Sequence, residues 1–508
     1  MLQASLTLDP EFRVGDVQRR TFGSFVEHLG RCVYTGIFEH GHATADEDGL
    51  RRDVLDLVRE LGVTVVRYPG GNFVSGYSWE DGIGPVDQRP ARLDQAWHSL
   101  ETNEFGIAEF ARWAGKADVE MMCALNLGTR GVESAVGLLE YCNQPGGTRW
   151  SDLRISHGHP EPFGVRLWCL GNELDGPWQI GHKTAEEYGR LAAETARAMR
   201  RIDPDLELVV CGSSHSGMPT FGSWEATVLE HTYDEIDYIS LHAYYEEHDG
   251  DTASFLASAL DMEAFIESVI ATADQVRSKT RARKRINLSF DEWNVWYISR
   301  FQGEGPPTDW PVAPPLLEDT YSIKDAVVVG TLLITLLRHS DRVTAACQAQ
   351  LVNAIAPIRT EPGGPAWRQT TFYPFAHTSR FARGEVLDPV ISTLSYESSR
   401  YGDTPIIDGV ATHDRDAGRL VVFAVNRHRE EQVRLTVGMR AFPGYRLIQH
   451  VVLADDDLDA ANTRDQPDRV TPRIGPSPST GGASFEVVLP PMSWNVLRME
   501  TVEVSAAP

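Results

Sequence analysis

The sequence predicts an α/β fold, a (β/α)8 TIM barrel followed by a C-terminal, jelly-roll-like β-sandwich domain, from three observations. Eight short apolar runs alternate with stretches of helical periodicity along most of the chain, which is the pattern of a parallel barrel. After about residue 380 the helical periodicity fades and alternating strands replace it. The length of 508 residues exceeds what one hydrophobic core usually supports, so two or more domains are expected.

The eight apolar runs are the predicted barrel strands. They cover residues 21–26, 63–67, 120–126, 166–170, 206–211, 238–241, 287–291 and 346–351. Apolar residues spaced three and four apart, as in Val54, Leu57, Val58 and Leu61, predict the intervening helices. A doubly wound sheet is the rival fold, but it would normally carry a glycine-rich phosphate-binding turn, and neither GxGxxG nor GxxxxGK[ST] occurs. The barrel is therefore favoured.

The last part of the chain has the strand pattern of a β-sandwich. Predicted strands lie at 419–426, 432–437, 446–452, 485–489 and 493–499, with a turn rich in Pro and Gly at 474–483. The segment 4–13 is also strand-like, and we expect it to join the sandwich. The expected domains are thus a barrel over residues 19–380 and a sandwich over residues 381–508 that residues 1–18 complete.

Charge and cysteine usage exclude several classes of protein. The formal charge of −25 comes from 72 acidic and 47 basic residues, so nucleic acid and anionic membranes are not expected partners. This negative charge would neither attract nor repel a neutral sugar. The six cysteines show no CxxC spacing, which predicts buried free thiols and no disulfide framework.

Two segments bear on cellular location. Residues 1–20 contain Asp9, Glu11 and Asp16 and no apolar stretch of the length that a secretion signal needs, so we expect a cytoplasmic protein. The longest largely apolar run, 326–337, has 12 residues and is too short to span a bilayer. We predict that this run is a buried helix.

Two carboxylates follow or end predicted barrel strands. The fourth strand leads into Asn172-Glu173 and the seventh ends in Asp291-Glu292-Trp293-Asn294, and strand ends of this kind meet at one mouth of a barrel. Cleavage of a glycoside needs one carboxylic acid and one carboxylate, and a separation of roughly 5 Å gives retention of configuration. A single such Glu can equally well cap a helix or form an ion pair, but Asn172 suits a sugar hydroxyl and Trp296 offers an apolar face to a ring.

Other candidate chemistries are weaker. The two segments His40-Gly41-His42 and His157-Gly158-His159 lack a third ligand at a defined spacing, so no metal site and no cofactor are predicted. A Ser-His-Asp hydrolase is disfavoured because no GxSxG elbow occurs. Trp97 and Trp178 fall in loops after the second and fourth strands and are interpreted as walls of a leaving-group subsite.

Six motifs carry a resemblance that covers nearly the whole chain. They are FVEHLGR at 25–31, RYPGGNF at 67–73, WCLGNE at 168–173, SLHAYY at 240–245, DEWNVWY at 291–297 and QLVNAIAP at 350–357. With these motifs the chain resembles glycoside hydrolase family 51, the intracellular α-L-arabinofuranosidases. The resemblance implies exo-acting release of terminal α-L-arabinofuranosyl residues from arabinoxylan or arabinan oligosaccharides, as in hemicellulose degradation and L-arabinose metabolism. It also implies a homo-oligomer, commonly a hexamer.

The resemblance implies a role for each site residue. Glu173 matches the general acid/base and Glu292 the nucleophile of a double displacement. The positions that match the furanose subsite are Glu27, Arg67, Asn72, Asn172, Tyr244 and Gln350, and the position of His242 lies near the acid in the family. With Trp97 and Trp296 these are the predicted substrate-binding residues. Arg67 would keep Glu292 ionised, and Gln350 is expected to end the eighth strand. His242 and Tyr244 lie two residues apart on one strand and should point the same way.

Three alternatives stay open at this point. A β-xylosidase or an endoglucanase with the same barrel would share the two glutamates but not the whole subsite set. A non-catalytic carbohydrate-binding protein would use the sandwich for recognition and the barrel as a scaffold. A metal-dependent barrel hydrolase is a third possibility.

Overall fold

The computed structural model of the protein describes residues 1–476, 480–481 and 483–501. Eight parallel strands close into a barrel, which confirms the predicted fold class. They are β1 (Gly23–Phe25), β2 (Val65–Tyr68), β3 (Glu120–Ala124), β4 (Leu167–Cys169), β5 (Glu207–Val210), β6 (Tyr238–Tyr245), β7 (Asn287–Val295) and β8 (Val343–Gln348). Each of the eight predicted runs contains or overlaps one of these strands.

Two strands are longer than predicted, and the eighth strand ends three residues earlier than predicted. β6 and β7 each continue four residues past the predicted runs, so His242 and Glu292 lie within strands. The expectation that Gln350 ends the eighth strand is wrong, because β8 stops at Gln348. Beyond it the chain turns, and the N–H of Gln350 donates to the carbonyl of Ile355 at 3.2 Å.

Helices cover the outside of the barrel and follow its strands. They are α1 (Arg52–Leu61), α2 (Ile107–Ala117), α3 (Val132–Asn143), α4 (Arg149–Ser156), α5 (Ala185–Ile202), α6 (Ser223–Thr232), α7 (Thr252–Leu256), α8 (Ala259–Thr280), α9 (Ile298–Glu304), α10 (Ile323–Arg338) and α11 (Phe372–Phe381). α1 buries Val54, Leu57, Val58 and Leu61 against the barrel, as their spacing predicts.

Helix α10 is the predicted buried apolar helix. It is buried on nearly all sides because it packs against barrel elements as well as against strands of the sandwich. Gly330 lies where the helix crosses Trp494, and a Cβ at this position would come within 2.2 Å of the indole Cδ1. In the described part of the chain, no helix is long and apolar enough to cross a membrane.

The sandwich consists of two sheets. In spatial order, one contains Val390–Ser392, Leu2–Thr7, Val433–Gly438, Ser484–Leu489 and Thr480–Gly481. The other contains Arg13–Asp16, Glu385–Leu387, Ile407–Asp414, Arg419–Asn426, Ser493–Thr501, Tyr445–Leu453 and Arg473–Ile474. The predicted turn at 474–483 lies partly outside the described residues.

The N-terminal segment contributes to both sheets and is not one strand. Leu2–Thr7 pairs in parallel with Val433–Gly438, and Arg13–Asp16 pairs with Glu385–Leu387 in the other sheet. A turn separates the two strands, since the carboxylate of Asp9 accepts from the N–H of Glu11 at 2.9 Å. The domain boundaries at 18/19 and 380/381 stay a prediction.

Three two-stranded ribbons complete the fold. They are Arg92–Asp94 with Ser99–Glu101, Ile358–Thr360 with Ala366–Arg368, and Ser395–Ser398 with Gly402–Pro405. The last of these, which we call the sandwich hairpin, reaches from the sandwich to the barrel and packs beside α7. All six cysteines are buried free thiols, as predicted.

Candidate active site

The fold brings Glu173 and Glu292 together at the carboxyl ends of β4 and β7, which β5 and β6 separate in the barrel. Glu173 follows β4 in a turn where its backbone φ is +46°, a left-handed conformation that is unusual for a residue other than Gly, Asn or Asp. Carboxylate oxygens of Glu173 and Glu292 lie within 4.8 Å of each other, and a ring nitrogen of His242 lies within the same distance of both. The three side chains are buried.

A β-bulge in β7 lets two adjacent carboxylates reach one site. Against β6, Ser289 pairs with Ser240 but Glu292 pairs with His242, so β7 holds one residue more than its neighbour. The pairing with β8 shifts in the same place. Successive residues of a regular strand face opposite sides, and an extra residue breaks this alternation. Asp291 and Glu292 therefore both contact groups of the barrel mouth.

Glu292 is held by one cation and one hydroxyl. The Nη1 of Arg67 donates to its Oε1 at 2.6 Å, and the hydroxyl of Tyr244 donates to its Oε2 at 2.8 Å. Gly71 lies against the same carboxylate, and a Cβ at Gly71 would be 3.0 Å from Oε1. The Nη2 of Arg67 donates to the Oδ1 of Asn172 at 2.7 Å. A buried guanidinium with these contacts fixes the orientation of the Glu292 carboxylate.

Glu173 has a different environment. Its Oε1 lies 2.8 Å from the Nδ1 of His242, and its Oε2 accepts from the Nε1 of Trp178 at 2.9 Å. Burial raises the pKa of Glu173; the hydrogen bond from His242 opposes this rise, and the negative charge of Glu292 adds to it. The two glutamates therefore lie in different environments, Glu173 beside His242 and Trp178 and Glu292 beside Arg67 and Tyr244.

His242 links the two glutamates to Asp291. Its Nε2 lies 3.0 Å from the Oδ1 of Asp291, and its Nδ1 lies 3.6 Å from the Oε2 of Glu292. Burial alone would lower the pKa of His242, but the charge of Glu292 and hydrogen bonds to Asp291 and Glu173 raise it to about 10. A pKa raised in this way favours the imidazolium form at neutral pH, in which both ring nitrogens donate hydrogen bonds.

A second cluster lies around Glu27, after β1. Its Oε1 accepts from the N–H of Phe73 and the indole Nε1 of Trp97, each at 2.9 Å. Its Oε2 accepts from the Nε2 of Gln350 at 2.9 Å. Burial raises the pKa of Glu27 to about 8, although the donors oppose the rise. The Oε1 of Gln350 is buried and has no partner within the described residues, so it can accept from a ligand hydroxyl.

The remaining predicted residues connect the two clusters. The Nδ2 of Asn172 donates to the Oδ1 of Asn72 at 3.5 Å. The ring of Trp296 packs edge-on against Tyr244 with centroids 5.1 Å apart. The indole of Trp97 donates to Glu27, so Trp97 lies in the cluster of Glu27 and Gln350. The structure thus brings together every residue that the sequence nominated.

Two contacts of the site are not predicted from the sequence. Strict strand alternation would turn Asp291 away from Glu292, and the bulge that brings both to the site is not visible in the sequence. Trp178 is predicted as a wall of the leaving-group subsite, whereas the structure adds its hydrogen bond to Glu173. Its position five residues after Glu173, in the same loop, was the available signal.

Comparisons with known proteins agree with this geometry. The family model for the α-L-arabinofuranosidase 1 domain matches residues 57–258, and the model for the α-L-arabinofuranosidase C-terminal domain matches residues 291–493. An intracellular exo-α-(1→5)-L-arabinofuranosidase of Streptomyces lividans is 60% identical over 98% of this chain and 75% of its own length. One from Bacillus subtilis is 52% identical over 98% of this chain and 99% of its own.

Solved structures show the same relationship. A family 51 α-L-arabinofuranosidase from Bifidobacterium longum superposes with a TM-score of 0.95 at 49% identity, covering 98% of this chain and 100% of that one. The thermostable family 51 enzyme from Thermotoga petrophila gives a TM-score of 0.87 at 32% identity, again with 98% and 100% coverage. The chain therefore belongs to glycoside hydrolase family 51, the α-L-arabinofuranosidases.

Proposed function

We propose that the protein is a retaining, exo-acting α-L-arabinofuranosidase with Glu173 as general acid/base and Glu292 as nucleophile. The observation that carries this proposal is the approach of the two carboxylates to within 4.8 Å. Retaining glycosidases need about 5 Å between these groups, whereas inverting ones need roughly 6.5–9.5 Å to admit a water. Direct attack by Glu292 is the chemistry that this spacing supports.

The charges of the cluster are balanced when Glu173 is protonated. Arg67 and His242 are positive, and Asp291 and Glu292 are negative, so a neutral Glu173 leaves no net charge in the buried site. In the first step Glu292 would attack the anomeric carbon while Glu173 gives its proton to the departing glycosidic oxygen. The products are a glycosyl ester on Glu292, a free alcohol and an ionised Glu173.

The second step uses the changed charge balance. Once Glu292 is an ester it carries no charge, so the two cations face only Asp291 and a second anion is favoured. Glu173 in its ionised form supplies that anion and can take a proton from water. The water attacks the anomeric carbon, the ester bond breaks, and Glu292 returns to its anionic form. The net configuration at the anomeric carbon is retained.

The proposed exo action is supported by aromatic side chains that close the site beside the Glu27 cluster. Phe301 of α9 lies 6.2 Å from Trp97 and 6.3 Å from Trp296 between ring centroids, so these aromatic groups cover the side of the Glu27 cluster. A subsite closed in this way admits one terminal sugar residue. Glu27, Gln350 and Asn172 are placed to bind its hydroxyls, with Asn72 beside them.

The natural substrates follow from the relatives. Several are named for α-(1→5) linkages and as intracellular enzymes, and we propose arabino-oligosaccharides with this linkage as substrates of this chain inside the cell. Arabinoxylan oligosaccharides are a further candidate class. The hexamer implied by the family resemblance stays a prediction, which light scattering on the purified protein would check.

Proton NMR of early hydrolysis products tests the mechanism. An aryl α-L-arabinofuranoside should give α-L-arabinofuranose first, and release of the β anomer would contradict double displacement. Aryl β-xyloside is the matched comparison. A higher kcat/KM on the xyloside would contradict the proposed sugar specificity and favour the xylosidase alternative, and no turnover of any glycoside would favour a carbohydrate-binding protein.

A further inference from the structure

A second cleft lies beside the proposed active site, between the barrel and the sandwich hairpin. It has a volume of about 370 Å³, and its lining includes Tyr244 and Trp296 on one side and Arg400 and Tyr401 on the other. Tyr244 contacts Glu292 directly. The cleft therefore begins at the catalytic centre and ends at residues of the sandwich hairpin.

The cleft lies on the leaving-group side of the centre. His215 lines it, and the ring of His215 is parallel to that of Trp178 with centroids 6.2 Å apart. Trp178 in turn binds the Oε2 of Glu173 and is 48% exposed. A proton donor faces the departing group, so the departing sugar must lie on the same side as Trp178 and His215.

The tip of the sandwich hairpin is fixed to the barrel by its backbone and short side chains. The N–H of Arg400 donates to the Oγ of Ser254 at 3.2 Å, and the hydroxyl of Tyr396 donates to the carbonyl of Ala253 at 2.9 Å. Ser399 also bonds to Asp251. These contacts hold Arg400 and Tyr401 in place although they belong to the other domain.

The side chains at the cleft end have the chemistry of a sugar subsite. The guanidinium of Arg400 makes no hydrogen bond or ion pair with other described residues, so its N–H groups are available to hydroxyls. Tyr401 is half-buried and offers an aromatic face. On the floor, Asp261 is held by the hydroxyl of Tyr245 at 3.1 Å, and its carboxylate can accept from a sugar hydroxyl.

We propose that Arg400 and Tyr401 of the sandwich hairpin form a distal acceptor subsite, which binds the arabino-oligosaccharide chain beyond the first leaving residue. This inference rests on the proposed function and adds a role for the sandwich domain. A single arabinose leaving residue fills the space next to Glu173, and only a longer chain extends along the cleft to Arg400. The subsite therefore contributes to the binding of longer oligosaccharides and does not contribute to the binding of short substrates.

The test compares substrate lengths in Arg400→Ala and Tyr401→Ala. We expect kcat/KM on α-1,5-arabinotetraose to fall about fivefold in each variant, the effect of one ordinary hydrogen bond or aromatic contact. An aryl α-L-arabinofuranoside does not reach the hairpin, and its kcat/KM should be unchanged. Asp403→Ala is the matched control, because this exposed residue lies on the same hairpin but outside the cleft lining.

Three results would overturn the proposal. An equal fall on the tetraose and on the aryl substrate would mean that the variants disturb the centre itself. Unchanged kinetics on the tetraose, or an equal fall in Asp403→Ala, would mean that the hairpin tip does not bind the acceptor chain. Failure of the proposed function is distinguishable, because the unaltered protein would then not hydrolyse the aryl arabinofuranoside.

Discussion

Truncation of Glu173 should separate the two chemical steps of the proposed mechanism. A general acid contributes about 10²- to 10⁴-fold to the rate, so we expect kcat/KM of Glu173→Ala on α-1,5-arabinobiose to fall by this factor. With a dinitrophenyl arabinofuranoside the dinitrophenolate departs without needing a proton. Formation of the glycosyl-enzyme from this substrate should therefore be much less affected. The second step still needs a base, so glycosyl-enzyme should accumulate on Glu292 and give a burst of dinitrophenol.

The structure also predicts rescue by a small anion. In Glu173→Ala the Nδ1 of His242 and the Nε1 of Trp178 lose acceptors that lay at 2.8 and 2.9 Å. The hydrogen bond of His242 to Asp291, at 3.0 Å, is one cause of its raised pKa and persists in the variant, which favours a cation beside the vacated space. Azide can occupy that space and attack the glycosyl-enzyme. The second step would then recover, and the product would be α-L-arabinofuranosyl azide.

The assay is azide-dependent turnover of the dinitrophenyl substrate, with NMR of the product. Glu292→Ala is the matched control, since azide there attacks the substrate directly and gives the β-azide. Peptide mapping of the trapped Glu173→Ala enzyme should place the label on Glu292. A β-azide from Glu173→Ala, or a label on another residue, would refute the assignment of the two roles.

Three further predictions concern two residues that contact the glutamates and one in helix α10. Tyr244→Phe removes one hydrogen bond to the nucleophile, worth about 1.5–3 kcal/mol for a charged acceptor, so kcat/KM on an aryl arabinofuranoside should fall about 10- to 150-fold; an unchanged value would contradict this role. Trp178→Phe removes a donor that lowers the pKa of the proposed acid, so that pKa should rise. Because the acid acts when protonated, the alkaline limb of kcat/KM should move to higher pH, and a move to lower pH would contradict the reasoning. Gly330→Ala places a methyl 2.2 Å from Trp494, which should lower stability by about 1–3 kcal/mol; thermal unfolding should shift down while KM stays constant.

Much of the architecture could be predicted because its signals are local. A strand or helix shows its period within a window of roughly 11–18 residues, and all eight barrel strands were found in this way. The placement of Glu173 and Glu292 at one mouth also follows from the fold class, since parallel strands of a barrel present their carboxyl ends on one face. Which glutamate plays which role came from the family resemblance.

Contacts between distant parts of the chain could not be predicted. His242 and Glu173 are 69 positions apart, and no periodicity relates them. The resemblance implied that His242 lies near the acid, but its link to Asp291 depends on the bulge in β7, which appears only when three strands are paired. The N-terminal segment was expected as one strand, yet its two halves enter different sheets.

The sequence by itself determined the class of fold, the pair of carboxylates and, through its motifs, the family. Those properties depend on local periodicity and on which residue types follow each strand. Only the tertiary structure decided that Glu173, the proposed acid, is buried beside His242, that Glu292 is held by Arg67 and Tyr244, and that the sandwich hairpin reaches the cleft. These properties depend on distances and burial. The interactions that shift a pKa or hold a side chain in place form only when segments that are remote in the sequence pack together.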